Sequence, residues 1–423
     1  MRISIIGAGY VGLVTGACFA ELGHEVHLVE IDREKAGVID RGIAPFYEPG
    51  LEALLKKHIH RTLAVSCEYQ EITGSDCTFI CVGTPPSPDG SADLRFIRSA
   101  AHSIGSALKE VRDPHTVVVK STVPPGTTGA VVAPAVMEGS GRQDGSITFA
   151  MNPEFLREGR AVEDFFHPDR IVIGCSKDIA CRKVASLYDG IDAPMVTTGL
   201  EAAEMIKYVS NAFLATKISF SNEIGNICKK LGIDVYEVMK GVGLDTRISP
   251  HFLNAGAGFG GSCFPKDVSA LISLAESMGE NPRILKSVME VNDSQALRMV
   301  TMLESCIGDL CGKQVAVLGL AFKDDTDDVR DSRAIPVIQS LVDRGALVRA
   351  FDPIANEAMS RIFPGINYYG SAEEALTSAD ACLVMTEWPE FSQLDLEFDR
   401  MKSRVIIEGR RILSCRGKEG ICW

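Results

Sequence analysis

Short apolar runs recur along the chain, separated by longer stretches in which apolar positions return every three or four residues. Segments 3–9, 25–32, 77–83, 115–123, 147–153 and 170–174 read as strands. Strands of this apolar character alternating with helical segments predict an α/β unit with a parallel, doubly wound sheet, running to about Thr198. From about Leu200 to Glu304 the period becomes helical. One long segment, Glu201 to Lys230, stops at Gly232; a second helix follows Pro265, and a third runs from about Pro282 into the 290s. Strand–helix alternation then resumes with 314–322, 347–353, 381–386 and 404–409, a second α/β region from about Lys313 to the end. No internal repeat or low-complexity tract interrupts this pattern.

Composition narrows what such a chain does. At 423 residues, a prior of roughly 100–200 residues per domain gives two to four domains. Hydrophobic residues make up 46% and charged residues 23%, as in ordinary globular proteins. A net charge of −13 repels nucleic acid and anionic membranes, so neither is an expected partner. A small anionic ligand is still admissible where lysines and arginines cluster. There is no long apolar run to span a membrane, and Met1 leads directly into a strand-like run with no apolar leader. The thirteen cysteines are odd in number and scattered. They read as small core hydrophobes in a reducing, cytoplasmic compartment, not as a disulfide framework. The eight histidines form no HxxxH pair and no CxxC occurs, so no metal is expected.

The first candidate chemistry follows the first strand. Gly7-Ala8-Gly9-Tyr10-Val11-Gly12 is a GxGxxG motif between a strand and a helix expected over Val11 to Leu22. Gly7 suits the tight turn, Gly9 lets backbone approach a pyrophosphate, and Gly12 lets helix and strand pack closely. The helix N-terminus then faces the anion. Glu30 ends the second strand 18 residues after Gly12, near the ~20 expected of an acid that holds ribose hydroxyls. Such a carboxylate repels a 2′-phosphate and favours NAD over NADP. Asp32 is the alternative acid.

The second candidate is Gly258-Phe259-Gly260-Gly261-Ser262-Cys263-Phe264-Pro265-Lys266-Asp267. The glycines let a ligand press on backbone, and Pro265 suits the first turn of a helix. Cys263 then stands at a helix N-terminus, which favours thiolate. Read by itself, one cysteine among thirteen is far more often a buried structural residue; the glycines and the adjoining charges favour a nucleophile. Lys207 and Asn211, four apart on the long helix, share a face and could hold an oxyanion or simply face solvent. Glu154 and Glu158 follow a strand and, again by spacing, serve either acid–base chemistry or capping.

GAGYVG, VGTPP, STVPPGT, NPEFLREG, EMIKYVSNAFLATKISFSNEI, FLNAGAGFGGSCFPKDV and LGLAFKDDTDDVRDS, in this order and spacing, resemble the UDP-glucose/GDP-mannose dehydrogenase family over nearly the whole chain. The resemblance implies three domains: an N-terminal NAD-binding Rossmann domain (1–198), a helical, dimer-forming middle domain (199–304) and a C-terminal Rossmann-like sugar-nucleotide domain (305–423). Asp245-Thr246-Arg247-Ile248 and Phe252-Leu253-Asn254-Ala255-Gly256 are similar to the branch that oxidises UDP-glucose. Glu419 to Trp423 look more like the end of the GDP-mannose branch, and a UDP-N-acetyl-hexosamine is a further alternative. By motif, Gly7, Gly9, Tyr10, Val11, Gly12, Glu30, Lys35, Thr84, Thr122, Glu158, Lys266 and Arg330 are implied to contact NAD. Glu30 stands where the family usually has Asp. The implied nucleotide-sugar contacts are Glu154, Phe155, Leu156, Arg157 and Glu158, then Lys207, Asn211 and Arg247, then Phe252, Leu253, Asn254, Ala255, Gly256, Gly260, Lys323 and Arg410. Arg247 is implied to act in the partner's site of a homodimer.

The implied chemistry is a four-electron oxidation of the sugar C6 alcohol to a carboxylate, UDP-glucose to UDP-glucuronate, with two NAD consumed. Cys263 holds the aldehyde as a thiohemiacetal and then as a thioester. Water activated by Glu154, or by Thr122 with Asp267, releases the acid while Lys207 and Asn211 stabilise the oxyanions.

Overall fold

The computed structural model describes all 423 residues, which form two compact units, Met1–Ser210 and Asn211–Trp423. In the first, eight strands make one sheet: β1 (Arg2–Ile6), β2 (Glu25–Val29), β3 (Leu63–Ser66), β4 (Cys77–Ile80), β5 (His115–Val119), β6 (Ile147–Met151), β7 (Ile171–Cys175) and β8 (Met195–Thr198). Their spatial order is β3-β2-β1-β4-β5-β6-β7-β8. The order reverses between β1 and β4, the point at which ligands bind open α/β sheets. Alternate side chains explain the apolar runs. Ile3 and Ile5 enter one core with Leu28 and Phe79, whereas Ile6 enters the other with Val117, Val119 and Met151.

One expectation is corrected. The sheet is parallel except where β6 meets β7, which pair antiparallel. A parallel return needs a crossover, usually a helix packed on the sheet. The connection from 152 to 170 contains only the six-residue helix Ala161–Phe166, and the chain doubles back.

The long helix is Leu200–Leu231, followed by Gly232 at φ +68°. In the second unit, helices Val235–Gly243, Phe264–Ser277, Arg283–Gln295 and Leu297–Ile307 precede a six-stranded parallel sheet. Its strands are β9 (Gln314–Leu318), β10 (Leu347–Phe351), β11 (Asn367–Tyr368), β12 (Ala381–Val384), β13 (Ile406–Glu408) and β14 (Lys418–Gly420), in the order β11-β10-β9-β12-β13-β14. Val315 and Val317 face one core, Ala316 and Leu318 the other. The fold is therefore α/β, with two Rossmann-like sheets and a helical stretch between them in sequence.

Seven free cysteines (Cys18, Cys77, Cys81, Cys228, Cys382, Cys415 and Cys422) are buried, as a core role requires. Cys175 and Cys181 depart from that reading: they form a disulfide between the end of β7 and the helix Asp178–Ala185, with Cα atoms 5.8 Å apart. No helix is long and apolar enough to cross a membrane.

Candidate active site

The dinucleotide turn is assembled by β1, β2 and the helix Tyr10–Glu21. Gly7 has φ +92°, and a Cβ there would press on the Cys81 carbonyl oxygen at 3.0 Å. A Cβ on Gly12 would collide with the Gly7 carbonyl. Gly9, the N-cap, is different: nothing lies within 4 Å of an added Cβ. The turn is thus packed on one side and open on the side where a pyrophosphate would meet the helix amides.

Glu30 is buried beside this turn. It accepts from the Ala8 and Asp32 amides, each at 3.1 Å, and pairs with Lys35 Nζ at 2.9 Å. Asp32 instead caps the helix Arg33–Asp40, accepting from the Glu34 and Lys35 amides. Of the two acids, Glu30 is the one that lies against the glycine turn. Val11 lies in the first turn of the helix. Thr84 Oγ1 donates to the Thr122 carbonyl at 2.8 Å, joining the loops after β4 and β5 at the carboxyl edge of the sheet. The open turn with a buried acid beside it fits NAD.

Segment 152–159 leaves the end of β6. Asn152 is held by its side-chain amide donating to the Val172 carbonyl at 2.8 Å, and its Oδ1 accepts from Lys120 Nζ and Tyr188 Oη. Glu154 is buried, pairs with Lys207 Nζ at 2.9 Å and accepts from the Leu156 amide at 2.6 Å. Lys207 is itself only 3% exposed, so it is not a solvated residue on an exposed face. Phe155 lies under the Arg170 guanidinium, 3.9 Å from its ring centroid. Arg157 pairs with Asp164 at 2.5 Å, and Glu158 is half-buried. The cleft lined by 152–157, His167 to Ile171 and Tyr188 holds about 80 Å³, well below the ~300–1,000 Å³ of ligand sites.

In the second unit Cys263 is the N-cap of the helix Phe264–Ser277, with Pro265 in its first turn. The thiol is half-buried, with Ser262 Oγ 3.5 Å from Sγ. Asp267, fully buried, accepts from Asn211 Nδ2 at 2.6 Å and pairs with Lys266 Nζ at 2.5 Å. Asn211 is buried as well.

The glycines before Cys263 also answer to the packing of the chain itself. A Cβ at Gly258 (φ +104°) would strike Asn292 Oδ1, one at Gly260 the Asp331 backbone, and one at Gly261 (φ +86°) the Phe322 ring. The chain's own packing requires them. Asn292 also clamps Phe259, accepting from its amide at 2.7 Å and donating to its carbonyl at 3.0 Å.

Around this turn Leu253, Ala255 and Gly256 are buried, while Phe252, at φ +62°, and Asn254 are exposed. Arg410 donates to the Gly258 carbonyl at 2.5 Å and pairs with Glu387 at 3.1 Å. Lys323 lies 6.0 Å from the Phe322 ring centroid, and Arg330 pairs with Asp328 at 2.6 Å. Arg247 pairs with Asp245 on the surface, its side chain 87% exposed. Sequence reading passed over Lys120, Glu48 and Asn292. The available signal was a charge or amide closing an otherwise apolar run, as Lys120 closes HTVVV.

Three stretches match the UDP-glucose/GDP-mannose dehydrogenase family: its NAD binding domain over residues 1–192, its central domain over 201–294 and its UDP binding domain over 316–415. The chain belongs to this family of NAD-dependent nucleotide-sugar dehydrogenases. It is 50% identical to the UDP-glucose 6-dehydrogenase AglM of Haloferax volcanii, over 98% of each chain. To the UDP-glucose 6-dehydrogenase TuaD of Bacillus subtilis it is 44% identical, over 98% of this chain and 90% of that one. A UDP-glucose dehydrogenase structure from Pyrobaculum islandicum superposes with a TM-score of 0.96 at 43% identity, covering 100% of this chain and 98% of that one. A UDP-D-ManNAc dehydrogenase from Pyrococcus horikoshii gives 0.87 at 29% identity, covering 100% and 99%.

Proposed function

We propose that this chain oxidises the C6 alcohol of UDP-glucose to the carboxylate of UDP-glucuronate, with Cys263 as the covalent nucleophile. The main support is Cys263 at the head of its helix, one turn before the buried Asp267–Asn211 pair, together with relatives named for this activity.

NAD, held by Gly7 to Gly12, Glu30, Lys35, Thr84, Thr122, Glu158, Lys266 and Arg330, supplies the hydride acceptor for both oxidations. Cys263 adds to the C6 aldehyde as a thiohemiacetal. The second oxidation turns that adduct into a thioester, which water cleaves to acid and thiol. Lys207 and Asn211 stabilise the oxyanions. Glu154, fixed by Lys207, orients the water. Segment 154–158, Phe252 to Gly256, Gly260, Lys323 and Arg410 hold the nucleotide sugar. The domains we assign are 1–198, 199–304 and 305–423.

We further take the assembly to be a homodimer. Phe213, Phe220 and Ile227, seven residues apart, form an exposed apolar stripe on the long helix. A seven-residue repeat keeps one face toward a partner helix. Arg247, extended into solvent, acts in the partner's site.

Steady-state NADH formation with UDP-glucose, GDP-mannose and UDP-N-acetyl-hexosamines tests the substrate. Two NADH per UDP-glucose are expected, and a higher kcat/KM for another sugar nucleotide overturns this choice. Cys263→Ala should lose acid formation. Cys263→Ser should accumulate an acyl adduct on the peptide carrying residue 263, visible as added mass. Two NADH per sugar from Cys263→Ala at near wild-type rate would exclude covalent catalysis.

A further inference from the structure

Segment 152–159 is tied at both ends. Its far end meets Glu48, a carboxylate only 6% exposed, in the loop after the helix Arg33–Asp40. The Gly159 amide donates to Glu48 Oε2 at 2.7 Å, and the Ala161 and Val162 amides donate to Oε1 at 2.7 and 3.3 Å. The fourth donor is the Tyr10 hydroxyl, on Oε2. That hydroxyl also accepts from the Gly159 amide at 2.9 Å. Tyr10 is the first residue of the helix that opens on the glycine turn, and its ring packs against Phe46 at 4.9 Å. Burial, with Glu48 beside it, pushes the Tyr10 hydroxyl well above the usual phenol range, so it stays a donor.

We propose that Glu48 is a positioning residue that couples the dinucleotide turn to segment 152–159, so that NAD and the nucleotide sugar strengthen each other's binding. The inference rests on the functional reading above, which gives the cofactor to the turn and the sugar to the segment. One buried carboxylate serves donors from both. Moving either side leaves it short of partners in a dry environment, which is unfavourable for a buried carboxylate. A ligand that fixes the glycine turn fixes Tyr10, and through Glu48 lowers the ordering cost of the segment. The effect must run equally in the other direction.

The test uses NADH with UDP-glucose, a pair that cannot react. NADH affinity is measured by nicotinamide fluorescence with and without saturating UDP-glucose, and the ratio of the two constants is the readout. In the wild type the ratio should reach about fivefold or more, the lower end of ordinary coupling. It should fall to near one in Tyr10→Phe, which keeps the ring, and in Glu48→Gln, which keeps the shape. Tyr10→Phe/Glu48→Gln should go no lower than either single variant. A merely structural role would weaken both ligands and leave the ratio alone, and that result overturns the proposal. So does a wild-type ratio of one with both ligands bound. Wild-type protein that binds NADH but never UDP-glucose instead sinks the functional reading on which the proposal stands.

Discussion

Lys207 and Glu154, to which we assign roles in the chemistry, are first of all a buried ion pair. Both side chains are at least 95% buried and lie 2.9 Å apart. Removing one partner strands the other charge, which typically costs about 3–5 kcal/mol, whereas replacing both with apolar groups is close to neutral. Lys207→Met should therefore lower the denaturation midpoint strongly. Lys207→Met/Glu154→Leu should recover most of it while remaining inactive; recovered activity would remove both from the mechanism. Glu30 predicts cofactor choice in the same way. With its carboxylate beside the glycine turn, kcat/KM for NAD should exceed that for NADP at least tenfold, since one desolvated like-charge contact is worth more than ~1.4 kcal/mol. Equal efficiency would take Glu30 out of the ribose site. Lys323→Ala should raise KM for UDP-glucose more than KM for NAD, and an effect on NAD alone would place Lys323 elsewhere.

The strands carry a prediction about acid stability. Across β1, β4 and β5, Ser4 Oγ, Thr78 Oγ1 and His115 Nε2 form a buried chain at 2.7 and 2.8 Å. Burial depresses the His115 pKa to about 4, against ~6.5 in an unfolded chain. Between these values the unfolded state binds the extra proton, so stability rises with pH. Its contribution is complete above about 6.5 and is lost as pH falls toward 4, by ~3 kcal/mol. In chemical unfolding at a series of pH values, His115→Gln should flatten that slope; an unchanged slope would assign the acid sensitivity to other groups. The same strands show what patterning reveals. β1, β4, β5 and β6 are buried on both faces and announce themselves as apolar runs. β3 (LAVS) and β8 (MVTT) are short and partly exposed, and the two-residue β11 has almost no pattern to detect. The glycine turn and Cys263 were legible because their geometry is local. Glu48 was not, because its donors Tyr10 and Gly159 lie 38 and 111 residues away.

At the scale of the whole molecule, a homodimer built on the Phe213–Phe220–Ile227 stripe predicts two behaviours. Phe220→Asp should shift the mass measured by light scattering toward the monomer, since burying an unpaired carboxylate costs several kcal/mol. Mixing inactive Arg247→Ala and Cys263→Ser subunits should restore part of the activity by forming one intact site. No recovery in demonstrated mixed dimers would place Arg247 in its own subunit's site. The distribution of sulfur has a separate, practical outcome. Seven thiols are shielded in the cores, and burial holds Cys77 and Cys81 as neutral thiols, each pushed up to about 12. An alkylating reagent at neutral pH therefore finds few targets: the half-buried Cys67 and Cys263 and the exposed Cys306 and Cys311. The exposed pair forms a built-in reference for footprinting. UDP-glucose should slow carbamidomethylation of Cys263 while Cys306 and Cys311 label at constant rate, so that occupancy of the site can be read from a peptide ratio in one digest, without an activity assay.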